Sequence, residues 1–166
     1  GEQGVKEIVD KAPDIIKNVR YIQERRVVQS FLYEIGHDTG LATYGEREVR
    51  MALQSGIVDT LLLSEALETA RVEVQCTSCG YASEETMRSM EVPDFEQSLN
   101  GKPCPKCGVP TLQLVEEKDI IEELAELAEK AGSKVEIIST ETEEGQMLRK
   151  SFGGTAATLR YKMPNQ

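Results

Sequence analysis

The sequence predicts a layered α/β domain interrupted by a cysteine-bearing insert. Strand-like runs alternate with helix-periodic runs along most of its 166 residues. Four cysteines fall in one segment as two pairs, Cys76 with Cys79 and Cys104 with Cys107. Apolar residues make up 39%, enough to build a core.

The elements follow in order. Val5, Ile8, Val9, Ala12, Ile15, Ile16, Val19 and Ile22 recur at three- and four-residue steps and form an apolar helical stripe. Pro13 should kink or restart that helix, because proline lacks the N–H and clashes with the preceding turn. The stripe resumes with Val27, Val28, Phe31, Leu32 and Ile35, and Gly36 can end it. Asp38 to Gly40 is turn chemistry. Tyr44-Gly45-Glu46 opens a second helix with Val49, Ala52 and Leu53 facing inward and Gly56 at its C-terminal cap. The run from Ile57 to Leu63 reads as a buried strand, Ser64 as the cap of a short helix to Leu67, and Arg71 to Gln75 as a second strand. Beyond the cysteines, Leu112 and Leu114 alternate as a strand, and residues 118–131 form a helix with Ile120, Ile121, Leu124, Leu127 and Ala128 on one face. Lys134 to Ile138 is a strand. Thr140 to Glu143 matches a capping box for a helix through Lys150, Phe152-Gly153-Gly154 breaks it, and Thr155 to Tyr161 is the last strand.

These elements divide the chain into a core, residues 1–71 with 115–166, and an insert at 72–114. The chain starts within a helix-like pattern and without Met, so it reads as a fragment of something longer, with residues 1–12 the tail of a connector. The net charge of −10 argues against a module that works by neutralising phosphates, and against docking on anionic lipid. No apolar run has membrane-span length and no signal-peptide pattern opens the chain. The chain therefore reads as soluble and cytoplasmic.

The cysteines are the most specific local signal. Each pair lies in a knuckle, Cys76-Thr77-Ser78-Cys79-Gly80 and Cys104-Pro105-Lys106-Cys107-Gly108. Two intervening residues let both thiolates reach one ion, and the following glycine permits the tight turn. The 24 residues between Cys79 and Cys104 leave room for a hairpin that brings the second knuckle over the first. Four thiolates close a tetrahedral shell, so the expected cofactor is a structural Zn²⁺, with iron in the same geometry left open. A zinc enzyme fails on that closed shell, and a thioredoxin-like pair needs only one such motif. The lone His37 suits the negative end of a helix dipole better than a catalytic role. The many glutamates between Glu122 and Glu144 read as solvated helix faces. The segment from Gly145 to Ser151 lacks the second glycine of a phosphate loop. Gly153, Gly154, Arg160 and Tyr161 admit two readings: a helix stop feeding a strand, or a contact surface.

Several blocks together resemble the C-terminal domain of class-1 peptide-chain release factors of the archaeal and eukaryotic kind. They are Tyr21 to Glu24; Tyr44-Gly45 with Glu48-Val49 and Ala52-Leu53; Gly56 to Leu62; Glu143 to Gln146; Phe152-Gly153-Gly154; and Leu159-Arg160-Tyr161. The intact cysteine pairs favour the archaeal branch. The resemblance implies an α-β-α sandwich like that of kink-turn RNA-binding ribosomal proteins. It also implies a domain that docks the translational GTPase (elongation factor 1-alpha type) and contacts the ABC-type ATPase that recycles the ribosome. Neither the decoding motif Asn-Ile-Lys-Ser nor the hydrolytic Gly-Gly-Gln is present, since Thr155 follows Gly153-Gly154, so no enzymatic activity is expected. The family's GTPase-contacting segment transfers to Gly153, Gly154, Leu159, Arg160 and Tyr161, although the family pattern has glycines and Ile where this chain has Ala156, Ala157 and Thr158. The alternatives are a kink-turn RNA-binding module, which the acidity opposes, and the equivalent domain of a Pelota-like rescue factor.

Overall fold

A computed structural model describes residues 2–163, and side chains from residue 13 onward. The chain divides into two compact units. The first takes the chain up to Ala66 and from Leu127 onward, and the second is Leu67–Glu126. The second unit is wider than the expected insert at 72–114, because the strands that carry both knuckles extend outward on either side.

The first unit begins with one helix, α1 (Glu2–Gly36). Pro13 lies inside it without a restart, since a long helix absorbs one missing hydrogen bond and continues. Val5, Ile8, Val9 and Ala12 lie outside the described side chains. Ile15, Ile16, Val19 and Ile22 are exposed, Ile16 by 69%. At 100° per residue they lie roughly opposite Val28 and Phe31, so α1 carries two apolar faces where the sequence suggested one stripe. The strand β1 (Ala42–Tyr44) follows, then α2 (Glu46–Gln54) and β2 (Val58–Ser64). Glycine serves at Gly45, where φ is 92° between β1 and α2. The short helix expected from Ser64 to Leu67 is instead a turn, in which Ser64 Oγ accepts the Ala66 N–H at 3.2 Å.

Chain order resumes in this unit with the end of α4 (Ile120–Lys130), then β6 (Lys134–Ile138), α5 (Glu143–Phe152) and β7 (Thr155–Leu159). The strands form one sheet in the order β1-β7-β2-β6, in which only β2 and β6 are parallel. Ala42, Tyr44, Leu62 and Ala156 share one face by register, and α1 and α5 cover it. The core there joins Val28 and Phe31 of α1 to Leu62, Ile138, Leu148 and Ala156. Phe152 holds the rim, its ring edge-on to Phe31 and to Tyr44 at 5.0 Å each. Leu61, Leu63 and Ala157 point to the opposite face, and α2, with Val49, Ala52 and Leu53 buried, lies against β1 and β7. The result is the expected α-β-α sandwich.

Helix α5 starts two residues later than its expected capping box. Thr142, rather than Thr140, is the N-cap, its Oγ1 accepting the Gly145 N–H at 2.9 Å. Gly145 is fixed by contact: a Cβ there would lie 1.9 Å from the Ser139 carbonyl oxygen. The same Ser139 is held from α1. Glu24, only 2% exposed, accepts the Ser139 hydroxyl at 2.8 Å and its N–H at 3.3 Å, and Arg20 pairs with it at 3.0 Å.

The second unit is an antiparallel sheet, order β4-β3-β5, made of β3 (Thr69–Cys76), β4 (Ala82–Arg88) and β5 (Leu112–Asp119). Where the sequence left room for a hairpin between the knuckles, β4 is followed by a 3₁₀ turn at Ser89–Glu91 and by α3 (Val92–Ser98). Ala70, Val72 and Val92 form a small core, rimmed by Met87, Phe95 and Leu114.

Candidate metal centre and the C-terminal strand

Strand β3 ends on the first knuckle, and the second precedes β5. Both turn the same way. Gly80 N–H donates to Cys76 O, and Gly108 N–H to Cys104 O, each at 2.9 Å. Both glycines have φ of 78°, a conformation side chains resist. Cys76 N–H then donates to Tyr81 O at 2.8 Å, and Cys104 N–H to Val109 O at 3.0 Å. This matched pattern aims all four sulfurs at one point.

The four Sγ atoms lie within 4.8 Å of one another, and none is in a disulfide. Two pairs join the knuckles, Cys76 with Cys107 and Cys79 with Cys104, each at 3.7 Å. A tetrahedral ion with metal–sulfur bonds of about 2.3 Å has sulfur–sulfur edges of about 3.8 Å, so the donor set fits a metal ion. Cys76 and Cys104 are buried, Cys79 is partly covered and Cys107 exposed.

The surroundings of the thiols favour their ionisation unequally. The Thr111 hydroxyl is the main group favouring the Cys76 thiolate, helped by the Cys79 and Ser78 N–H groups; together they outweigh burial and bring its pKa down to about 6. Burial works against ionisation at Cys104, but the N–H groups of Cys107 and Lys106 lower it on balance. At Cys107 the Val109 N–H favours the thiolate, yet loss of solvent and the sulfurs of Cys76, Cys79 and Cys104 push the thiol up to about 11. Clustered sulfurs of like charge resist complete ionisation until a cation joins them. With four protein ligands the shell is closed, which suits a structural ion.

The glycine-to-tyrosine segment separates into two places. Gly153 caps α5 in the left-handed conformation, and Gly154, buried at φ 82°, donates to Leu148 O at 2.9 Å and accepts the Ser64 N–H at 2.8 Å. About 20 Å further along β7, judged by the strand rise, lie Arg160 and Tyr161. Leu159 is 6% exposed and holds the strand in the sheet. Arg160 donates its N–H to Ile57 O and its guanidinium to Gly132 O, each at 2.7 Å, while Tyr161 is 67% exposed. Of the five residues, only Gly153, Arg160 and Tyr161 therefore reach solvent. His37 closes α1 as its sequence position suggested: its Nδ1 lies 2.9 Å from Tyr33 O, and its ring stacks on Tyr33 at 4.0 Å.

Sequence reasoning missed Thr111 and Glu24. A signal existed for Glu24, which is in helical phase with Val28 and Phe31. Among the described residues, no helix is long and apolar enough to cross a membrane.

Residues 21–163 match the profile of the eRF1 domain 3 family. Peptide chain release factor subunit 1 of Pyrococcus abyssi is 48% identical over 163 residues, which is 98% of this chain and 39% of that protein. The chain thus spans about two fifths of the length of this curated relative. The solved C-terminal domain of the peptide chain release factor from Methanosarcina mazei superposes with a TM-score of 0.83 at 36% identity, covering 98% of this chain and 97% of that one. A chain of a ribosome-bound archaeal Pelota and ABCE1 structure shares the fold at 23% identity, with a TM-score of 0.54 over 98% of this chain and 33% of its own length. The resemblance read from the sequence is borne out, and the chain belongs to the eRF1 domain 3 family, as the C-terminal domain of a peptide-chain release factor.

Proposed function

We propose that this chain is a non-catalytic docking domain of a translation termination factor, braced by one structural zinc ion. The observation that carries the reading is identity of 48% across 98% of the chain with an archaeal release factor. Zinc is the ion of choice because it takes tetrahedral four-thiolate shells and needs no open position. The domain binds the translational GTPase (elongation factor 1-alpha type) through the end of β7, with Arg160 and Tyr161 as anchors. Arg and Tyr at an exposed patch are the residue types that concentrate binding energy. Gly153, Gly154 and Leu159 hold the strand that presents them. The ABC-type recycling ATPase is the second partner, a reading supported by a shared fold with a chain from a model of ribosome-bound archaeal Pelota and ABCE1. Contact with the ribosome runs through the full-length factor, in the cytoplasm.

The test is binding of the chain to a translational GTPase, with hydrolase activity measured in parallel. Replacing Arg160 and Tyr161 by Ala should weaken binding by about 2 kcal/mol with the fold intact. Unaltered affinity rejects the anchor assignment. Salt-sensitive binding to structured RNA, without GTPase affinity, replaces the reading with an RNA-binding module.

A further inference from the structure

Thr111 belongs to neither knuckle, yet its hydroxyl reaches the sulfur cluster. Its Oγ1 lies 3.3 Å from Cys76 Sγ and 2.8 Å from Ser78 Oγ. Its backbone is fixed on both sides: the Thr77 N–H donates to Thr111 O at 3.1 Å, and the Thr111 N–H donates to Val109 O at 2.9 Å. The placement is a product of sheet register, because Cys76 pairs with Leu112 across β3 and β5.

A metal-bound thiolate can only accept a hydrogen bond, so Thr111 donates to Cys76 Sγ and accepts from the Ser78 hydroxyl. Four thiolates around one divalent cation leave two negative charges in excess, in a chain whose net charge is already −10. A hydroxyl aimed at one sulfur offsets part of that excess and fixes the sulfur's direction. Among the described residues, Cys76 alone of the four receives a side-chain hydroxyl. In the second knuckle Pro105 and Lys106 occupy the positions of Thr77 and Ser78, and the Lys106 N–H reaches Cys104 Sγ at 3.4 Å.

We propose that Thr111 is a positioning residue of the metal centre, its hydroxyl oriented by Ser78 so that it directs the Cys76 sulfur into the shell. The proposal rests on the metal-site reading, and makes the first knuckle the firmer half of the centre.

The test titrates the whole chain with Co²⁺ and then displaces it with Zn²⁺ in the presence of a competing chelator. Thr111→Val should weaken zinc binding about 10–100-fold and move the sulfur-to-cobalt charge-transfer band to lower energy, while Thr111→Ser stays within about threefold of the parent chain. Ser78→Ala, which leaves the Thr111 side chain in place, should give a smaller loss and a smaller band shift of the same sign. Unchanged affinity and spectrum in Thr111→Val overturn the proposal. So does a Thr111→Ser chain as weak as Thr111→Val, because a hydroxyl retained at position 111 would then not sustain binding. If the parent chain binds neither ion, the metal-site reading itself has failed, an outcome distinct from either.

Discussion

The two units reach stability by different means. The first buries Phe31, Leu61, Leu62, Leu63, Ile138 and Leu148 between helices and a four-stranded sheet. The second packs Ala70, Val72 and Val92 with three partly covered neighbours, and also buries Val74, Leu99, Ile120 and Leu124, a smaller set than the first unit buries. A three-stranded sheet in a unit of this size is marginal alone, and small units of this kind commonly depend on a cross-link or a metal. One unit is thus held by area removed from water, and on the metal-site proposal the other would be held largely by four sulfur–metal bonds, so different perturbations should break them.

Metal removal should have the largest effect. Structural zinc in small peptides is worth on the order of 10–16 kcal/mol. Chelation should abolish amide-exchange protection across Leu67–Glu126 while the sheet β1-β7-β2-β6 keeps its own. Unchanged amide shifts in the second unit of a metal-free sample would show that its core suffices.

Gly145→Ala probes the first unit in the opposite sense. The added methyl meets the Ser139 carbonyl, whose residue is also bonded to the buried Glu24, so strain spreads to the contact between α1 and the start of α5. A loss of about 3 kcal/mol is expected from the denaturant midpoint, with zinc affinity unaltered. Equal loss in both properties would mean the units are not energetically separate.

The smallest effect belongs to α1. Ile15→Ser with Ile16→Ser should change stability within about 0.5 kcal/mol, because both side chains are exposed. A drop of several kcal/mol would place that face in the core and redraw the first unit.

What the sequence disclosed depended on how local each determinant was. The strand Lys134–Ile138 was legible because β-branched residues stand between a glycine stop and a serine. Ala42–Tyr44 was not, because three residues become a strand only by pairing with β7. The capping error has a similar origin. Two threonines compete in Thr140-Glu141-Thr142-Glu143, and the choice is made by Gly145 fitting against Ser139, a contact that no spacing rule encodes. The cysteine ligands were legible from spacing alone, since the knuckle is a local turn. Thr111 was invisible for the converse reason: it lies 35 residues from Cys76 and meets it only through β-sheet register. Arg160 and Tyr161 stood out first as residue types that concentrate binding energy and again through family resemblance, and the structure adds that the glycines lie at the far end of the same strand.

The parallel pairing of β2 with β6 carries a consequence for folding order. Every residue between Ser64 and Lys134 forms the loop that must close before those two strands can meet. A synthesising ribosome therefore releases β1, α2 and β2 well before their sheet can be completed. If the cysteine unit captures its ion first, most of that loop is already compact. By the logarithmic closure law, shortening an effective loop severalfold lowers the entropic cost by about 1–2 kcal/mol. Refolding rates with and without zinc measure that head start, which would make the ion a pacemaker for a sheet that supplies none of its ligands.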